Sequence, residues 1–91
     1  MKFEWDEKKN ILNLKKHKIS FSEAQNAFFD EKRILIRDEK HSNDEERFFC
    51  IGDTGNGIAT VRFTIRKDII RIIGAGYWRE GKQRYEQENS I

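Results

Sequence analysis

Thr60, Arg62, Thr64 and Arg66 alternate with Ala59, Val61, Phe63 and Ile65. On a strand, residues two apart project from one face about 6.6–7 Å apart, close to the spacing of phosphates along a single RNA strand. Arginine offers phosphate oxygens a planar fork of donors, and a threonine hydroxyl can bond a phosphate or a ribose 2′-OH. The plainer reading of the same alternation is the solvated face of a two-sided sheet. A second group is His41-Ser42 with Glu45-Glu46-Arg47. A histidine with a nearby glutamate could serve as a general acid/base pair at neutral pH, and an adjacent arginine could stabilise negative charge. Its plainer reading is a charged loop. A third is the stretch Tyr77-Trp78-Arg79-Glu80-Gly81-Lys82-Gln83-Arg84-Tyr85, where rings could stack on unpaired bases while Arg79 and Lys82 contact the backbone. On a helix Trp78 and Tyr85 share a face, which favours core packing for both.

Other chemistries lack their residues. His17 and His41 are the only histidines, and no His/Cys spacing of a zinc or di-metal centre occurs, so neither metal nor cofactor is expected. The single cysteine, Cys50, lies in an apolar run and reads as inert packing in a reducing compartment. Gly52, Gly55 and Gly57 lack the Lys/Ser of a phosphate loop and read as a turn. Ninety-one residues, 36% hydrophobic and 37% charged, suit one small domain spanning 1–91. The net charge of +2 argues against indiscriminate polyanion binding, yet residues 58–91 hold seven basic and four acidic side chains, so the basic surplus is C-terminal. No apolar run approaches a membrane span or a signal peptide, which predicts a soluble, cytoplasmic protein without membrane contact.

These residues need elements to hold them. Lys2–Trp5 alternates as a brief edge strand, and Asp6 is placed to cap a helix in which Ile11, Leu12 and Leu14 form the buried stripe. Ser20-Phe21-Ser22-Glu23 is a capping box opening a second helix, with Phe21, Ala24, Ala27 and Phe28 on its buried face. Strands follow at 33–37, 47–51, 58–65 and 69–74, with a polar loop over 38–46, and a last helix over 78–89. The expected class is α+β: two N-terminal helices packed on a small antiparallel sheet of three or four strands, with a C-terminal helix.

The chain resembles the BrnT family, the toxins of a bacterial type II toxin-antitoxin system. The resemblance rests on Phe3-Glu4-Trp5-Asp6, Asn13-Leu14, Lys16-His17 and Ile19-Ser20-Phe21 with Glu23-Ala24. It continues through His41-Ser42-Asn43-Asp44-Glu45-Glu46-Arg47, Ile51-Gly52, Phe63-Thr64-Ile65-Arg66 and Arg84-Tyr85-Glu86. It implies a RelE-like fold and a ribosome-independent endoribonuclease that inhibits translation. It also implies a BrnA-like ribbon-helix-helix antitoxin, through which alone the complex would touch operator DNA.

Thr64 and Arg66 match the family motif directly. Many members then have Ile-Ser-Ala-Arg before the last helix, where this chain has Ile73-Gly74-Ala75-Gly76. The arginine absent at Gly76 leaves Arg79 or Arg71 as its stand-in. The reaction so implied needs no metal: the RNA's own 2′-OH attacks the adjacent phosphorus and leaves a 2′,3′-cyclic phosphate. Arg66, with Arg79 or Arg71, would bind that phosphate, Thr64 would position it, and His41 or Glu46 would move protons. Arg62, Arg71 and Lys82 would hold the strand. The competing reading is a catalytically inactive module that binds nucleic acid or protein through the same basic face.

Overall fold

A computed structural model describes residues 1–91. The chain runs through β1 (Lys2–Glu4), α1 (Glu7–His17), α2 (Phe21–Ala24), β2 (Ile34–Arg37), β3 (Arg47–Asp53), β4 (Ile58–Arg66), β5 (Ile69–Gly76) and α3 (Arg79–Glu88). Tight 3-10 turns at Gln25–Phe29 and Glu39–His41 extend α2 and follow β2. The α+β class stands, but the sheet has five strands in the order β1-β5-β4-β3-β2. It is mixed rather than antiparallel, because β1 pairs in parallel with β5 through Phe3↔Ile70 while every other pair is antiparallel. A period-two pattern shows that Lys2–Glu4 is extended; nothing local in it names a partner 67 residues away or its direction.

One sheet face packs under α1, α2 and the turn after α2. Val61, Phe63, Ala59, Cys50, Ile72 and Ala75 meet Phe21, Ala24, Ala27 and Phe28 there, so this alternate set of β4 is the core face that the sequence predicts. Phe3, Phe28, Phe63 and Phe48 follow one another with ring centroids 5.2, 5.0 and 5.5 Å apart. Ile65 is the exception to the expected alternation: it is 53% exposed, because the helix layer ends before the last turn of β4. Burial pushes the Cys50 thiol up to about 12, so it stays protonated. No helix is long and apolar enough to cross a membrane.

The N-terminal helices form where their caps predict but are held differently. Asp6 caps α1 by accepting from Lys8 N–H at 2.9 Å, and Ser20 caps α2 by accepting from Glu23 N–H at 3.0 Å. The reciprocal half of the capping box is not formed, since the Glu23 carboxylate accepts from Tyr77 and from Asn56 instead. In α1, Ile11, Leu12 and Leu14 are 60, 65 and 48% exposed, contrary to the expected buried stripe. Amides do the anchoring. Asn13 donates to the carbonyls of Ile19 and Ala75 at 3.0 Å and accepts from Ala75 N–H at 3.2 Å, while Asn10 accepts from Phe21 N–H at 2.8 Å.

The other sheet face receives α3, which is clamped where Tyr85 donates to Asp30 at 2.6 Å. Trp78 is not core: it is 38% exposed, caps α3 and meets His17 edge-on. Gly81, a costly residue for a helix interior, is required by close approach. A Cβ there would strike the Thr60 hydroxyl and sit 3.3 Å from the Thr60 Cβ. Thr60 is buried, and its hydroxyl has no hydrogen-bond partner. Gly81→Ala is therefore expected to lower stability by about 1–3 kcal/mol despite alanine's better helix propensity. Adding Thr60→Ala should restore wild-type stability or better, which urea unfolding of the single and double variants measures.

Candidate functional site

The polar loop between β2 and β3 is a closed, ordered structure. Its neck is tied by Asp38 N–H donating to the Arg47 carbonyl at 2.7 Å. Ser42 seals it, its hydroxyl donating to the Asp38 carbonyl at 2.7 Å and accepting from Arg47 N–H at 3.0 Å. Within this frame Asp38, only 5% exposed, lies 2.9 Å from His41 Nδ1. Burial works to raise the Asp38 carboxyl. The His41 hydrogen bond and charge, a bond from Lys40 N–H and the Arg62 charge outweigh it and hold the group below its usual value. An ionised Asp38 places the imidazole proton on Nδ1 and leaves Nε2 as the free acceptor. His41 opens onto a cavity of about 500 Å³ shared with Asn43, Asp44, Glu45 and Arg47.

Beside the loop, the β-register sets out a basic face. Arg47, Thr64, Arg71 and Glu4 stand side by side across β3, β4, β5 and β1. Arg62 stands in the row of Phe49 and Gly74, and Arg66 in the row of Ile69 and Lys2. Ile73 is an extra residue in β5 opposite the Arg62–Phe63 step, a bulge next to these side chains. Glu45 sits among the arginines. It takes a two-pronged bond from Arg66, Nε at 3.1 Å and Nη2 at 3.0 Å. That bond, followed by the Arg66, Arg47 and Arg71 charges, holds its carboxyl below the usual value. Glu45 thus sets one carboxylate among three guanidinium charges.

The structure therefore sorts the expected residues. His41, Arg62, Arg66 and Arg71 share this region, and Arg71 is also bonded to Glu4 at 3.2 Å. Thr64 is 1% exposed, and its hydroxyl donates to the Glu46 carbonyl at 2.6 Å. It pins the loop to β4 instead of offering a hydroxyl to phosphate. The Glu46 carboxylate lies outward, 3.9 Å from Arg37, with no bond to His41. Arg79 and Lys82 are exposed in the first turns of α3, which packs at Thr60. Four residue steps of β4, roughly 13 Å of strand, lie between Thr60 and Thr64. Arg71, not Arg79, stands opposite Thr64. Between the two regions lies a second cavity of about 300 Å³, lined by Phe49, Ile51, Thr60, Trp78 and Arg84 among others.

One residue of the site has no signal in the sequence motifs. Asp38 passed for loop, although Asp-x-x-His on a tight turn is the spacing that brings the two side chains together. Glu45 and Glu46 both belong to the loop group that the sequence offers, and only the β3–β4 register decides which of the two adjacent glutamates faces Arg66.

The family described as "Ribonuclease toxin, BrnT, of type II toxin-antitoxin system" matches residues 5–81. The chain belongs to this family. No curated protein matches it. BrnT membership makes it a ribonuclease toxin, with RNA as its target and an antitoxin as its partner. The matched span covers the Asp38–Arg47 loop and the whole arginine face. The BrnT match also includes Gly76, which lies close under an aromatic ring. A side chain at Gly76 would run into the Trp78 ring, which lies over that position.

Asp38 also ties the site to acid stability. Its folded pKa lies below the unfolded one, as does that of Asp30, where burial opposes but Tyr85 and the N–H groups of Asp53 and Lys32 prevail. Such groups stabilise the fold above the unfolded value, about 4, and that stability is lost as pH falls through the lower folded values. Asp30→Asn and Asp38→Asn are each expected to flatten the decline in stability between pH 5 and pH 3, read by urea unfolding at stepped pH.

Proposed function

We propose that this chain is a ribosome-independent, metal-independent endoribonuclease whose centre is the Asp38–His41 pair beside the arginine face. The observation that carries the reading is the buried carboxylate bonded to His41 Nδ1, with Nε2 left for substrate in the cavity shared with Arg47. RNA brings its own nucleophile, so the protein must hold one phosphate in line, stabilise its developing charge and accept a proton. His41 Nε2 takes the 2′-OH proton. The 2′-oxygen bonds to phosphorus, the P–O5′ bond breaks on the opposite side, and the leaving 5′-oxygen takes its proton from water while the imidazolium returns its own to solvent. A 2′,3′-cyclic phosphate remains on one fragment and a free 5′-OH on the other. Arg47, Arg62 and Arg66 neutralise the phosphate, with Arg71 behind them, and Glu45 must yield its place to it. Asp38 sets the tautomer and orientation of His41. The cavity of Phe49 and Trp78 suits a neighbouring base, with Arg79 and Lys82 on the strand beyond.

The whole chain, residues 1–91, acts in this reading as one domain of RelE-like arrangement in the cytoplasm, where cleavage arrests translation. Its antitoxin is of the BrnA-like ribbon-helix-helix kind, and operator DNA is bound only through their complex. The test is incubation of purified protein with a defined RNA in EDTA, wild type beside His41→Ala and Arg66→Ala, reading fragment length and end chemistry. Cyclic-phosphate ends that vanish in the variants are expected. RNA shifted on a gel but never shortened would favour the inactive binding module instead.

A further inference from the structure

On the sheet face opposite the arginines, the helix layer stops short of β2 and of the far end of β4. This leaves an apolar groove of about 380 Å³, floored by Phe28, Phe48, Phe63 and Ile70 and walled by Leu35 and Ile65. Leu35 and Ile65 are 57 and 53% exposed, so the groove lies open to solvent. β2 is also an edge strand, so one side of its backbone has no strand neighbour. Arg33, just before β2, and Leu35 and Arg37 within it alternate along the chain and all reach the groove. Arg33 has only the Asp30 carbonyl as partner, and Arg37 bonds an exposed Glu39, a pair of the kind that exchanges cheaply.

We infer that this edge and groove are where the antitoxin binds, through an extended acidic–apolar segment added as a strand beside β2. Residues directly across an antiparallel pair on one face interact, so such a segment would set carboxylates against Arg33 and Arg37 and an aliphatic side chain against Leu35. A second copy of this chain fits worse. A two-fold pairing of β2 strands centred on Leu35 sets Arg33 of one copy against Arg37 of the other, and like charges directly opposite repel. The inference rests on the family's antitoxin and not on the nuclease reading, because the groove and the arginine face lie on opposite sides of the sheet.

The test measures affinity for the cognate antitoxin, obtained by co-expression, using Leu35→Asp and, separately, Arg33→Glu/Arg37→Glu. Both alter exposed side chains, so folding is checked by circular dichroism and is expected to persist. Each variant should bind about 30-fold or more weakly than wild type while cleaving RNA at the wild-type rate. Wild-type affinity in both variants would overturn the inference. So would loss in Leu35→Asp alone, which would refute the acidic complement, or a toxin dimer by sedimentation that Leu35→Asp abolishes with antitoxin affinity unchanged. If wild type cleaves no RNA, the nuclease reading fails while the affinity comparison still decides the groove.

Discussion

His41→Ala is expected to cleave RNA about 10²- to 10⁴-fold more slowly than wild type, the range for loss of a positioned proton-transfer group. Its side chain is half exposed and packs in no core, so the fold should persist, although buried Asp38 loses its partner and stability above pH 4 should fall. Asp38→Asn should slow cleavage as well, because an amide cannot hold the imidazole in the tautomer that leaves Nε2 as acceptor. A residue acting only through His41 has a distinctive signature: the double variant Asp38→Asn/His41→Ala should be no slower than His41→Ala alone. Single-turnover rates on one defined RNA measure all four proteins. Additive losses would mean that Asp38 acts on substrate independently, and full activity in His41→Ala would remove the histidine from the site.

Arg66→Ala is expected to cost about 10²-fold or more in cleavage rate, as removal of one charge-stabilising donor does. Arg66→Lys should recover little, since the two-pronged geometry seen with Glu45 needs a guanidinium fork. Glu45 should behave in the opposite sense. Its depressed pKa makes it a poor proton acceptor, and under the proposed mechanism its carboxylate would compete with phosphate for Arg66, Arg47 and Arg71. Glu45→Gln is therefore expected to bind RNA several-fold more tightly at low salt and to retain cleavage. Fluorescence anisotropy against salt concentration, beside the cleavage assay, reads both effects. A Glu45→Gln protein as slow as Arg66→Ala would show instead that the carboxylate is needed to hold the guanidinium in place.

The sequence alone determined what depends on neighbours within a few residues. The Asp6 and Ser20 caps, the buried face of Phe21, Ala24, Ala27 and Phe28, and the β4 alternation from Ala59 to Thr64 are all set by local hydrogen bonds and side-chain period. The motif residues from His41 to Arg66 that resemble the BrnT family were equally legible, and the match over residues 5–81 bears out that resemblance. Tertiary structure decided whatever required a distant partner. It paired β1 with β5, left Ile11, Leu12 and Leu14 outside because Asn13 holds α1 to Ala75, and turned Gly81 from a weak helix residue into the contact with Thr60. At the site it gave His41 to Asp38 and Arg66 to Glu45, and buried the Thr64 hydroxyl against Glu46. The reason is common to all: periodicity reports which way a side chain points, whereas its partner is chosen by strand register and packing between segments far apart in the chain.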